Sequence, residues 1–265
     1  MMINLTTKSG HRLSPKDLLI VGHPKLGKTE ALMNLPNSAI IDLQSGTDYV
    51  DTSDLSCTVY DVKKLVRENN IVNKEKGERL INMIDVYYEI CKYLRANPVD
   101  YLTVDTVSDL EELAKEMAVF LYKNHPTGKN FKGNEVVTLP NGSGWNFIRI
   151  AFKKLLDELE GCYNKCLIYT VHPKTASIMK NGQDLQARDI NISGKSKLQL
   201  CGDTSNIAFM YRDKSTNTNM ISFKTDERDL STGARCKHLR GQEFPISKLL
   251  ENGNLETYWD KIFID

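Results

Sequence analysis

The segment Gly22-His23-Pro24-Lys25-Leu26-Gly27-Lys28-Thr29 fits the spacing G-x-x-x-x-G-K-[ST], and every fixed position in it has a chemical reason. Glycine lets the backbone curl until successive N–H groups converge on an anion. Lys28 reaches the outer phosphates as a point charge, and the Thr29 hydroxyl is a ligand for Mg²⁺. A helix that begins near Glu30 adds the positive end of its dipole. Residues Gly22 to Glu30 therefore read as a cradle for the phosphates of ATP with its Mg²⁺.

A second acidic element is expected to complete the metal shell. Asp105 ends the apolar run Tyr101-Leu102-Thr103-Val104-Asp105, where a carboxylate at a strand terminus can hold the ion through water. The next residue is Thr106 rather than a glutamate, so the hydrolytic base is sought in Ile41–Asp48. Asp42 and Asp48 are the candidates there, and Gln44 can orient water without accepting its proton at neutral pH. His172 follows the run Cys166–Val171, at the carboxyl end of a strand, where ligands of open α/β sheets bind; it is a candidate contact to the terminal phosphate. Among Arg212, Arg228, Arg235 and Lys237, one cation can stabilise γ-phosphate charge as an arginine finger, and Arg228 and Arg235 are the choices. Trp145 and Trp259 read as packing anchors.

These residues need a scaffold that brings strand ends together. Short apolar runs alternate with amphipathic stretches, the texture of a largely parallel α/β sheet. Strands are expected at Leu18–Val21, Ser38–Leu43, Asp100–Thr106, Cys166–Val171, Ile207–Arg212 and Met220–Thr225, the last two joined as a hairpin. Helices are expected to follow Glu30, over Glu78–Arg95 with Leu80, Ile84, Tyr87, Cys91 and Leu94 on one face, and over Phe147–Leu159. Another opens at Ser108-Asp109-Leu110-Glu111, read as a capping box. Residues 123–146 are expected to be a long excursion with a small hairpin, and 174–197 a polar, mobile loop.

The chain carries 35 Lys and Arg against 34 Asp and Glu, a net +1, which excludes a polybasic protein but not a basic loop on a neutral body. No apolar run approaches the ~20 residues that span a bilayer, and the amino terminus lacks a signal-peptide core, so a cytoplasmic protein is expected. The six cysteines then read as free thiols; Cys162-x3-Cys166 and Cys236-x-His238 are poorly spaced for zinc.

The order of these blocks resembles RecA-like P-loop ATPases, and within them phage-encoded nucleotide-binding proteins of the recombinase and single-strand-annealing type. GHPKLGKTEAL, IIDLQSGTDYVD, YLTVDTVSDLEEL, and CLIYTVHPK preceded by GSGWNFIRIAFKKLLDEL carry the resemblance. ISFKTDERDLSTGARCKHLRG is similar to the carboxyl-terminal stretch of such proteins. The resemblance implies a RecA-like α/β core over 16–245, with a mostly parallel sheet flanked by helices and a C-terminal β-hairpin. It has insertions at 60–95 and 123–146, an extension at 1–15 and a tail at 246–265.

The resemblance also implies ATP-dependent action on single-stranded DNA in phage recombination, repair or replication, inside the infected bacterial cell. It implies assembly into rings or filaments, and contacts with phage or host single-strand-binding or replication proteins. Gln44 stands where RecA-like enzymes usually carry glutamate, and His172 where they carry glutamine. DNA is then expected on two basic loops. One holds Lys174, Lys180, Arg188, Lys195 and Lys197 against two carboxylates, net +3, and the other Lys123, Lys129 and Lys132 against one, net +2. Phe131 is available to stack on a base. Two other functions compete: a nucleotide-gated interaction module with little hydrolysis, and a P-loop small-molecule kinase.

Overall fold

The computed structural model describes residues 12–47, 55–139, 142–180, 183–225 and 232–264. Apolar, β-branched runs make most of its central strands, which are buried along most of their length except at Cys57–Asp61. They are β1 (Asp17–Gly22), β2 (Ser38–Asp42), β3 (Cys57–Asp61), β4 (Val99–Asp105) and β5 (Tyr163–Val171). The helices between them are α1 (Lys28–Met33), α2 (Val62–Lys76), α3 (Met83–Ala96), α4 (Val107–Asn124) and α5 (Ser143–Asp157). Then come β6 (Pro173–Lys180), β7 (Gln183–Ile190), α6 (Gly194–Asp203), β8 (Asn206–Asp213), β9 (Thr218–Ser222), β10 (Gly233–Ala234), β11 (Glu243–Leu249) and β12 (Leu255–Thr257).

The main sheet runs β12-β11-β9-β8-β1-β5-β4-β2-β3, with β10 paired to β8. The six strands from β8 to β3 are parallel, and β9, β10, β11 and β12 are antiparallel. This is the largely parallel α/β sheet that the alternation of runs implies, with β8 and β9 as the C-terminal hairpin. Because the central strands are parallel, their carboxyl ends share one edge, and Asp42 lies in register with Asp105.

Two core layers cover the sheet. On one face α3, α4 and α5 pack through Tyr87, Leu110, Leu113, Phe152 and Leu155, and the buried Tyr87 hydroxyl donates to the Leu155 carbonyl at 2.7 Å. On the other, Ala31, Leu32 and Met33 of α1 pack with Met210, Phe223, Leu239 and Trp259.

Several sequence expectations change. Residues 174–197 are not a polar loop: β6 and β7 form a separate antiparallel hairpin in register from Pro173–Ile190 to Lys180–Gln183, and α6 follows. Its strands, PKTASIMK and QDLQARDI, alternate too weakly in hydrophobicity to read as β, and they form a two-stranded sheet apart from the main one. The cap of α4 is Thr106, whose side chain accepts from the Asp109 amide, two residues before the expected box. Leu80 falls outside α3 and is 49% exposed. Residues 125–139 hold a short 3-10 turn at Pro126–Gly128 and no strand. Much of 246–265, read as a tail, belongs to the sheet and core: β11 and β12 extend the antiparallel edge, and the Trp259 indole donates to the Ala31 carbonyl at 2.8 Å.

Candidate nucleotide site

The chain leaves β1 at Gly22 and curls into α1 at Lys28. Gly22 is crowded, since a Cβ there would lie 3.2 Å from the Met210 carbonyl oxygen and 3.3 Å from Lys28 Cδ, so that a neighbour would have to give slightly. Gly27 sits at φ +81°, in the left-handed region that glycine enters at no steric cost. Lys28 is buried (6% exposed), and its ammonium donates to the Gly22 and His23 carbonyls at 2.8 Å each. Burial lowers its pKa from the usual lysine value, and the nearby Asp105 carboxylate partly restores it.

Thr29 and Asp105 meet as expected: the Thr29 hydroxyl donates to Asp105 Oδ2 at 2.6 Å. The other carboxylate oxygen accepts from the Thr170 hydroxyl on β5. Thr170 was not foreseen, because a threonine inside an apolar strand gives no sequence signal. Two hard oxygen donors beside a lysine and a run of loop amides suit Mg²⁺ on a polyphosphate; Thr29 and Asp105 are the groups that would hold it. His172 also lies at the site, with Nδ1 3.3 Å from the Gly22 carbonyl oxygen.

The candidate bases fare differently. Asp42 is fully buried, and its carboxylate is consumed by its own turn. Oδ1 accepts from the Gln44 and Ser45 amides at 2.8 Å each, and Oδ2 from the Thr47 amide and hydroxyl at 3.2 and 2.9 Å. Burial raises its pKa despite these bonds. The expectation of Asp42 as a base is therefore corrected to a turn-organising residue. Gln44 is exposed, and its amide nitrogen donates to Asp109 Oδ2 at 2.7 Å. The same oxygen is the partner of the Thr106 hydroxyl. This fixes the amide orientation and leaves Gln44 Oε1 as its acceptor end. Asp48 lies outside the described residues.

Of the two arginine-finger candidates, Arg228 also lies outside the described residues. Arg235 follows β10, which pairs with Asn206 and Ile207 at the start of β8. That is four residues before Met210, the partner of Gly22, or roughly 13 Å down the strand at ~3.3 Å per residue. Its guanidinium donates to the Gly202 carbonyl at 3.1 Å. Arg235 thus sits toward the opposite edge of the sheet and cannot serve the loop of its own subunit.

The basic residues divide. Lys174 donates to the Ile192 carbonyl at 2.8 Å, Lys197 pairs with the buried Asp189 at 2.9 Å, and Arg188 lies 4.1 Å over the Phe209 ring. These three are engaged within the protein. Phe131, expected to stack on a base, packs against Tyr122 with centroids 5.1 Å apart. Lys123, Lys129, Lys132 and Lys195 are exposed, and the Lys180 side chain lies outside the described residues. A cavity of about 440 Å³ opens between the amino ends of α5 and α6, lined by Trp145, Asn146, Arg149, Ser193, Lys195 and Ser196. Neither helix has a side-chain cap. Sequence reasoning missed Asn146 and Arg149 and read Trp145 as an anchor, although the indole is 44% exposed.

Helix α4 joins this cavity to the nucleotide loop. It begins at Thr106, next to Asp105. Its Ser108 hydroxyl donates to the Asn191 carbonyl at 2.9 Å, and its Glu111 carboxylate accepts from the Ser193 amide at 3.1 Å. The Asn191 amide in turn donates to the His172 carbonyl at 2.9 Å.

The family described as an AAA domain matches residues 14–236. Among solved structures, the RadB recombinase aligns over 93% of this chain and 92% of its own, at 12% identity and a TM-score of 0.41. An ATPase from the type III secretion system of pathogenic bacteria aligns over 75% of this chain and 53% of its own, at 15% identity and a TM-score of 0.42. No curated protein matches the sequence. Among the described residues, no helix is long and apolar enough to cross a membrane.

Proposed function

The chain belongs to the AAA domain family, as a P-loop ATPase, and from that premise we propose that it couples MgATP binding and hydrolysis to single-stranded DNA. The observation that carries the nucleotide half is the Thr29–Asp105 hydrogen bond beside Lys28 and the curled Gly22–Gly27 backbone. Lys28 would leave the loop carbonyls for the outer phosphates. Thr29 and Asp105 would hold Mg²⁺, which supplies charge neutralisation at the terminal phosphate. His172 would meet that phosphate, and Gln44 Oε1 would orient the attacking water.

The DNA half is supported by the α5–α6 cavity. Two uncapped helix amino ends, Arg149 and Lys195 supply anion donors, and the exposed Trp145 indole supplies a stacking surface for a base. Exposed Lys123, Lys129 and Lys132 extend the positive charge. Helix α4 gives the two sites a continuous covalent and hydrogen-bonded connection. Assembly into a ring or filament, contacts with phage or host single-strand-binding or replication proteins, and a setting in phage recombination, repair or replication rest on the sequence resemblance alone.

The test is steady-state ATP turnover with and without single-stranded oligonucleotide at low salt. DNA should raise turnover, and Lys28→Ala should abolish nucleotide binding while preserving the fold. No DNA effect on turnover or on nucleotide affinity would overturn the DNA half alone. A second reading, a nucleotide-gated interaction module with slow hydrolysis, is favoured by one observation: Asp42 has no lone pair to spare for water. A single-turnover rate far below nucleotide release would select it.

A further inference from the structure

The sheet order gives the nucleotide loop a polarity. Asp105 on β4, with Thr170 and His172 at the end of β5, lies on one flank of β1, and β8 is the other neighbour of β1. A polyphosphate whose terminal group sits with Thr29 and Asp105 sends its inner phosphates and nucleoside toward the β8 flank. Strand β8 runs parallel to β1 with Met210 opposite Gly22. Arg212 therefore emerges two residues beyond the point where β1 becomes the phosphate loop. It shares a face with Met210, which packs in the layer that holds α1.

Arg212 is exposed but tethered. Its Nε donates to Asn219 Oδ1 at 3.1 Å, and Asn219 Nδ2 donates to Ser247 Oγ at 3.0 Å. Asn219 and Ser247 are both buried. The same Asn219 nitrogen lies 3.5 Å from where a Cβ on Gly27 would stand, so the tether packs directly on the phosphate loop. The tether uses only Nε and leaves four N–H donors on the two Nη atoms. No carboxylate among the described residues forms an ion pair with this guanidinium. A cation fixed beside the phosphate loop, with its fork open, is built for phosphate oxygens.

We propose that Arg212 binds the inner phosphates of the nucleotide held by its own subunit, with Asn219 and Ser247 as its positioning residues. This rests on reading Gly22–Thr29 as the nucleotide loop. It differs from an arginine finger in what it touches: the inner phosphates are common to ATP and ADP, whereas a finger meets the γ-phosphate alone.

Equilibrium binding of ATP and of ADP, each with Mg²⁺, to the wild type, Arg212→Gln, Asn219→Ala and the double variant tests it. Arg212→Gln should weaken both nucleotides by a similar factor, about ten- to a hundredfold for one lost charge-assisted contact. Its melting temperature should fall by no more than a few degrees, because the exposed side chain gives up one hydrogen bond to Asn219 Oδ1. Asn219→Ala should weaken both nucleotides when Arg212 is present and change neither affinity once Arg212→Gln is in place, a dependence that a merely structural role would not produce. Unchanged affinities in Arg212→Gln, or a loss confined to ATP, would overturn the inference while leaving the nucleotide loop standing. Wild-type protein that bound neither nucleotide would overturn the loop reading and this inference with it.

Discussion

Removing the Asp42 carboxylate separates a base from a structural turn, because the two roles predict opposite signatures. Asp42 accepts four hydrogen bonds from residues 44–47. Gln44 and Ser45 are exposed or half-buried, so water can replace the carboxylate at their amides. Thr47 is buried, and its amide would be orphaned. An orphaned buried donor costs about 1–3 kcal/mol. In Asp42→Asn one oxygen still accepts, and the Thr47 hydroxyl can rotate to accept from the new amide, so the loss is about that of one donor. Asp42→Ala also loses the remaining acceptor and packing, and about 2–4 kcal/mol is expected. At ~2–4 °C per kcal/mol for a chain of this size, the melting temperature should fall by roughly 5–15 °C in Asp42→Ala and by less in Asp42→Asn.

The pH dependence has a definite sign. Burial raises the folded-state pKa of Asp42 above the ordinary 3.8, so the ionised form is the one that folding disfavours. Its contribution to stability is then fully present below the unfolded pKa and lost as pH rises through the folded pKa. The stability gap between wild type and Asp42→Asn should widen on acidification from neutral pH to below pH ~4. Thermal melts and urea titrations across that range, beside single-turnover hydrolysis at pH 7, provide the measurement. An Asp42→Asn protein with unchanged melting temperature and abolished turnover would refute the structural assignment and restore Asp42 as the base.

Three further outcomes follow from the packing. Gly144→Ala would bring a Cβ to 1.6 Å from the Val136 carbonyl oxygen, so the 131–139 segment must shift off the amino end of α5; a loss of at least ~1–3 kcal/mol is expected in chemical unfolding, and a neutral result would contradict the packing of that segment. Trp259→Ala empties a buried site and removes the bond to the Ala31 carbonyl, at about 3–5 kcal/mol, and should weaken ATP because α1 loses its support; a Tm within 2 °C of wild type, at ~2–4 °C per kcal/mol, would show the carboxyl-terminal segment to be dispensable. If the α5–α6 cavity grips phosphates, replacing both Arg149 and Lys195 by alanine should lower the slope of log affinity for single-stranded DNA against log salt by about 1–2, and an unchanged slope would move the DNA elsewhere.

The grouping of Lys28, Thr29 and Asp105 was legible because its constraints are local. A glycine-framed loop, a lysine, a threonine and a strand-end aspartate each carry their chemistry in residue type and spacing, and Thr29 and Asp105 meet as that spacing requires. Strands β1, β2, β4, β5 and β8 were legible for a similar reason, since a parallel strand buried on both faces has to be a continuous apolar run; the edge strand β3, CTVYD, is not such a run and was missed. What failed was non-local. Asp42 reads as a free carboxylate until its turn folds back to give it four donors. Arg235 reads as a finger for the loop of its own subunit until β10 pairs with the far end of β8. Lys174, Arg188 and Lys197 read as DNA contacts until Ile192 supplies a carbonyl, Phe209 of β8 an aromatic face and the hairpin Asp189 for them. For these three basic residues net charge counted the cation, and only tertiary pairing showed whether it was already engaged.

The same distinction bears on how ATP could act on DNA here. The engaged cations of the hairpin and the open cations of the cavity lie on either side of residues 191–193, and that segment is held from three directions: by His172, by Ser108 and by Glu111. Two of the three holders belong to α4, whose cap, Thr106, directly follows Asp105. A change in what Asp105 ligates therefore has a short route to the amino end of α6, with no flexible loop in between. Glu111 makes that route consequential, because its buried carboxylate sits against the Ser193 amide, just ahead of α6, and opposes the field that would attract a phosphate there. A shift of α4 that drew Glu111 away would strengthen the cavity as an anion site, whereas a shift toward Ser193 would weaken it. Under the proposed function, coupling between the two sites would be electrostatic at its far end and mechanical along its length, and would need only a displacement of one helix.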